Sequence, residues 1–174
     1  MEKNELGKKI MEVAYITGEF KLRSGQTSHE YFDKYRFESQ PTLLKAIALE
    51  LKKRLPKDTE VLGALETGGI PLATALSLET GLPVVFVRKQ AKDYGTCKFA
   101  EGVDIKDKKL CVIEDVITTG GQVVESTKAL RNEGAIIDQV LCVILRADNT
   151  PKSLTDLDLK LDPVFKMQEL KSIN

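Results

Sequence analysis

Leu110-Cys111-Val112-Ile113-Glu114-Asp115-Val116-Ile117-Thr118-Thr119-Gly120-Gly121-Gln122 begins as an apolar run and turns acidic at two adjacent positions. It then passes through a Thr-Thr-Gly-Gly turn and resumes as a helix. The apolar run reads as a strand buried on both faces. In open α/β sheets, ligands bind at the carboxyl ends of strands, where this turn lies. Small residues leading into a helix expose several backbone N–H groups, and with the helix dipole they form an anion site. Thr118 and Thr119 add hydroxyl donors. Glu114 and Asp115 would repel a phosphate that they faced. They are better placed to accept hydrogen bonds from sugar hydroxyls, or to hold a divalent ion indirectly. The stretch therefore asks for sugar hydroxyls and a phosphate together, as in a ribose 5-phosphate. It lacks the Gly-Lys-Ser/Thr ending of a nucleotide-triphosphate loop.

The same strand-then-helix rhythm extends in both directions. Periodicity predicts helices over 5–15, 41–55, 70–79 and 122–132, with Pro41 at a first helical position and Gly81 and Gly134 just past two helix ends. Short apolar runs predict strands over 61–65, 83–87, 110–113 and 139–145. The tail over 154–165 alternates through Leu157, Leu159 and Leu161 and predicts a closing strand at the sheet edge. Strands alternating with helices imply a mostly parallel α/β sheet. At 174 residues the chain fits one domain over 1–174 with one core.

Composition narrows the function classes. Lys+Arg and Asp+Glu are equal at 26 each, so the net charge gives no sign of nucleic-acid binding. His29 is the only histidine, which removes multi-His metal sites and leaves no obvious Ser-His or Cys-His pair. No apolar run reaches the length of a membrane span, and the N-terminus has no secretory apolar region. Three scattered cysteines without a framework (Cys97, Cys111, Cys142) suit a reducing compartment, so a cytoplasmic location is expected.

Four further segments bear on the site. Residues 88–102, Arg88-Lys89-Gln90-Ala91-Lys92-Asp93-Tyr94-Gly95-Thr96-Cys97-Lys98-Phe99-Ala100-Glu101-Gly102, form a long polar connection, the kind that often serves as a lid. Residues 65–74, Leu-Glu-Thr-Gly-Gly-Ile-Pro-Leu-Ala-Thr, make a second strand-loop-helix junction. Arg146 ends the fourth predicted strand. Near the N-terminus stand Phe20, Leu22, Ser24, Gly25, Ser28, Tyr31 and Asp33.

Together these segments resemble the orotate phosphoribosyltransferases of the type I phosphoribosyltransferase family, over roughly 20–146. Residues 110–122 resemble the family's phosphoribosyl-pyrophosphate signature. The run Arg-Lys-x-x-Lys-x-Tyr-Gly-Thr resembles its catalytic loop, and Phe-x-Leu-x-Ser-Gly…Ser…Tyr-x-Asp its N-terminal hood. The resemblance implies a type I fold, with a central mostly parallel sheet flanked by helices, a small hood from about 1–40 and a mobile loop over about 88–102. It implies transfer of phosphoribosyl from phosphoribosyl pyrophosphate to orotate. Lys92, Glu114 and Asp115 are the expected catalytic residues. Arg23, Arg88, Lys89, Lys92, Tyr94, Glu114, Asp115, Val116, Ile117, Thr118, Thr119, Gly120, Gly121, Gln122 and Arg146 are the expected substrate contacts. Mg2+ is expected as cofactor, carried mainly by pyrophosphate with no protein metal ligand. A homodimer sharing the loop between subunits is implied. The sequence departs from the family's usual residues at Arg23 (Lys), His29 (Pro), Gly68 (Lys in some bacterial members), Gln122 (a small hydroxyl residue) and Leu145 (Asp). The turn at 147–151 also differs. Two other readings stay open: a paralogue acting on another base, and a non-catalytic regulator that binds phosphoribosyl pyrophosphate.

Overall fold

The computed structural model describes residues 1–21, 25, 27–89 and 99–173. Helix α1 (Lys3–Ala14) leads into a hairpin of β1 (Tyr15–Lys21) and β2 (Thr27–Phe32). There follow α2 (Tyr35–Glu38), α3 (Pro41–Arg54), β3 (Val61–Leu65), α4 (Gly69–Thr80), β4 (Val84–Val87) and β5 (Ala100–Gly102). The chain ends with β6 (Lys109–Ile117), α5 (Gly121–Asn132), β7 (Ile136–Leu145), α6 (Lys152–Thr155), β8 (Lys160–Lys166) and α7 (Met167–Ser172).

Six strands form one sheet in the order β5-β4-β3-β6-β7-β8. Every pairing is parallel except β4 with β5, so the sheet is parallel with one antiparallel edge. Side chains alternate across each strand and sort into two cores. On one face, Leu62, Ala64, Cys111, Ile113, Leu141 and Val143 pack with α1, α3 and α4 through Ile10, Leu51 and Leu72. On the other, Val61, Leu65, Val112, Val140 and Cys142 pack with Val123 and Leu130 of α5. Burial on both faces explains why β3, β6 and β7 are nearly continuous apolar runs.

The main helices and most strands of the parallel sheet match the sequence expectations within a residue or two, while β7 begins three residues earlier than expected, at Ile136. Three differences matter. First, β6 runs four residues beyond the predicted 110–113, because pairing with β7 continues through Glu114 to Ile117. The two acids therefore lie within the strand. Second, the predicted strand over 154–165 opens instead as α6, which buries Leu154, and only Lys160–Lys166 forms the edge strand. Third, of the hood expected over about 1–40 only β1 and β2 form a separate two-stranded sheet, with the Phe20 and Tyr31 rings 5.4 Å apart, because α1 packs into the main core through Leu6 and Ile10. The hairpin's burial is too partial to leave an alternating pattern. Among the described residues, no helix is long and apolar enough to cross a membrane.

Candidate functional site

A cavity of about 340 Å³ opens at the carboxyl ends of β3 and β6. It is lined by the whole run from Glu114 to Val123, by Glu66 and Thr67 after β3, by Lys89 after β4, and by Lys34 and Tyr35 below the hood. This size suits a small-molecule ligand. Tertiary packing has thus gathered the signature turn and one cation of the long connection around one space.

The turn is built for close approach. Gly120 takes φ +75°, a conformation that side chains other than glycine's rarely adopt, and the Leu154 side chain packs against it. Ser153 Oγ donates to the Thr119 carbonyl at 2.9 Å, tying the turn to α6. Helix α5 starts at Gly121, and the N–H groups of its first turn lack intrahelical partners. The dipole of this 12-residue helix adds partial positive charge at the same place. Gln122, expected to contact phosphate, sends its side-chain amide along the helix to Ser126 Oγ at 3.1 Å.

The acid pair is deeply set, with Asp115 1% and Glu114 9% exposed. Both line the cavity at the end of β6, where the two carboxyls interact directly. Glu114 Oε1 accepts from the Asp115 N–H at 3.1 Å. Burial, and then the Asp115 charge, push the Glu114 carboxyl well above the usual carboxylate range. Asp115 is held on one oxygen by the Val116 N–H and on the other by the Lys34 ammonium. Burial opposes the charge on Lys34, but its bonds to Asp115 raise its pKa on balance.

Gly68, just before α4, sits directly against Asp115. A Cβ at this position would overlap the carboxylate, which explains why no side chain stands there. A Cβ on Gly69 would in turn strike the Ile113 carbonyl.

The remaining expected contacts are spread around this cavity. The Lys89 N–H donates to Glu66 Oε2 at 3.0 Å, and Lys89 faces the cavity. Arg88 lines a neighbouring space of about 350 Å³ with Phe86 and Glu101, and its Nε lies 3.9 Å from the Glu101 carboxylate. Arg146 lines a third space of about 130 Å³ with Tyr31, Phe32, Met167 and Lys171. The Arg146 N–H donates to the carbonyl of Ile117, which lines the main cavity, at 2.8 Å. Arg23, Lys92 and Tyr94 lie outside the described residues. Sequence reasoning missed Lys34 and Glu38. The only local signal was an acid four residues after a lysine, which is ordinary helix-surface pairing.

The parallel sheet, the hood and an anion-binding turn entered by two acids define the phosphoribosyltransferase class. Residues 38–166 match the model of the phosphoribosyl transferase domain. An orotate phosphoribosyltransferase from Nocardioides sp. is 50% identical over 161 residues, covering 92% of this chain and 90% of the relative. One from Methanocella arvoryzae is 40% identical, covering 88% and 87%. The solved orotate phosphoribosyltransferase of Mycobacterium tuberculosis superposes with a TM-score of 0.87 at 25% identity, covering 97% of this chain and 98% of that one. This chain belongs to the orotate phosphoribosyltransferase family.

Proposed function

We propose that this protein transfers the 5-phosphoribosyl group of phosphoribosyl pyrophosphate to orotate, giving orotidine 5′-monophosphate and pyrophosphate in pyrimidine nucleotide biosynthesis. The observation that carries the reading is the convergence of Glu114, Asp115 and the Thr118–Gln122 turn on one cavity with Lys89 at its edge. The turn receives the 5′-phosphate through backbone N–H groups and threonine hydroxyls. Glu114 and Asp115 receive the ribose hydroxyls, and Asp115 also stabilises positive charge on the sugar. The C1′–O bond to pyrophosphate breaks as a ring nitrogen of the base bonds to C1′. Remote binding of the phosphate thereby orients the reacting carbon.

Lys89, Arg88 and Lys92 offset the charge that grows on departing pyrophosphate, and Tyr94 assists from the same loop. Arg23 of the hood adds a further cation. Arg146 pairs with the carboxylate of orotate, and Tyr31 and Phe32 offer faces for its ring. Mg2+, when bound, would be held mainly by pyrophosphate oxygens, since no cluster of three or more His, Cys, Asp or Glu side chains among the described residues could hold it. A hard divalent ion keeps phosphate oxygens and water as ligands, so it does not require a cage of protein carboxylates. Bound in this way it would neutralise leaving-group charge. Family resemblance supports a cytoplasmic homodimer in which the loop expected over 88–102 serves the neighbouring subunit from its part before β5, since Ala100–Gly102 pair with β4 in the sheet.

A panel of bases with Mg2+ and phosphoribosyl pyrophosphate, followed by chromatography, tests the reading. Orotate turnover that is abolished in Lys92→Ala is the expected result. Turnover of another base alone would move the protein to a paralogous activity. Binding of phosphoribosyl pyrophosphate without turnover of any base would make it a regulator.

A further inference from the structure

Glu38 closes α2 beneath the hood. It is only 5% exposed, and neither carboxylate oxygen meets a donor among the described residues. What it faces is the Asp115 carboxylate. Two buried acceptors set against each other repel as anions, and a single proton between them turns the repulsion into a hydrogen bond. Lys34, four residues earlier, already holds one Asp115 oxygen. One helical turn thus presents an ammonium and a carboxyl to the same buried acid.

We propose that Glu38 is a positioning residue of the ribose-phosphate site: as a neutral acid it donates a hydrogen bond to Asp115 and, with Lys34, sets that carboxylate to receive the sugar hydroxyls. The inference rests on the phosphoribosyl-transfer reading above. The charged groups acting on Glu38 are Asp115 from β6, and Lys34 and Asp33 from the segment before α2. The other helices packed on α2 are α1 and α3, which bury Leu6, Ile10, Leu43 and Ile47 in the shared core. Burial first, and then the Asp115 charge, raise Glu38 to about 8. It therefore carries its proton at neutral pH and releases it in mildly alkaline solution. Once ionised, it repels Asp115 and competes with it for the Lys34 ammonium.

The test is calorimetric titration of phosphoribosyl pyrophosphate with Mg2+ from neutral to alkaline pH, on wild type, Glu38→Gln and Glu38→Leu, with thermal unfolding of each. Wild-type affinity should weaken as pH rises through the Glu38 range. Glu38→Gln retains a neutral donor, so it should restore neutral-pH affinity relative to Glu38→Leu and lose the alkaline weakening. Glu38→Leu should bind about tenfold more weakly, the effect of one lost hydrogen bond to a charged group. An alkaline weakening in Glu38→Gln that matches wild type would overturn the proposal. So would a folded Glu38→Leu protein that binds as tightly as wild type. If Glu38→Leu does not fold, the Glu38→Gln pH curve decides alone. Orotate turnover by wild type, measured in parallel, reports separately on the functional reading, because its loss would leave the binding curves intact.

Discussion

Replacing Gly68 with Ala separates helix propensity from site packing. Gly68 has φ −67° and ψ −30°, ordinary right-handed helical backbone, so alanine meets no backbone strain. Propensity alone therefore predicts a small gain in stability. The packing predicts the opposite. The new methyl group would overlap the Asp115 carboxylate, and Asp115 is too short and too buried to swing away cheaply. It must leave the Lys34 ammonium and the Val116 N–H, its two partners. Disturbing charge-assisted hydrogen bonds at a buried carboxylate costs about 2–4 kcal/mol. For a chain of this size that lowers the unfolding midpoint by roughly 5–15 °C. Because Asp115 is the proposed receiver of the ribose hydroxyls, the KM for phosphoribosyl pyrophosphate should rise about tenfold or more. The assay pairs thermal unfolding with steady-state kinetics. Gly81→Ala is the control: Gly81 has φ +78° with open space around it, so that variant loses backbone energy alone, about 1–2 kcal/mol, and keeps its KM. A Gly68→Ala protein with unchanged melting and unchanged KM would refute the packing argument.

Other outcomes follow from the same geometry. Lys92→Ala should lower turnover far more than it weakens binding of the nucleotide product; equal losses in single-turnover and binding assays would remove its leaving-group role. Arg146→Met should raise the KM for orotate about tenfold or more while leaving that for phosphoribosyl pyrophosphate nearly unchanged, since a bidentate carboxylate pair is lost. Thr127 is fully buried, and its hydroxyl has no partner among the described residues, so Thr127→Val should hold or raise the melting temperature. Stability should also fall with rising pH through Glu38. Its folded value of about 8 lies above the unfolded 4.5, so the contribution is complete below the unfolded value and is lost as pH climbs through the folded one. Glu38→Gln should flatten that slope in denaturant titrations at a series of pH values.

Elements buried on both faces, or carrying firm end signals, were legible in the sequence. Val61–Leu65 is five buried residues in a row, and α3 and α4 begin and end at Pro41 and Gly81. The signature turn was legible because backbone geometry there demands small residues in order. The hood hairpin was less so, since its exposed pattern shows no clean alternation. The chain itself therefore determined a parallel sheet with a phosphate-binding turn at its carboxyl edge, because periodicity, glycine and local backbone chemistry act over a few residues. Which charges face one another was decided only by the fold. The extension of β6 through pairing with β7 fixes Glu114 and Asp115 at the strand end, where both border one cavity. The packing of α2 on α1 and α3 brings Lys34 and Glu38 to Asp115, about eighty residues away along the chain. Coulombic and desolvation energies depend on distance and burial in space, and no local pattern in the sequence encodes either.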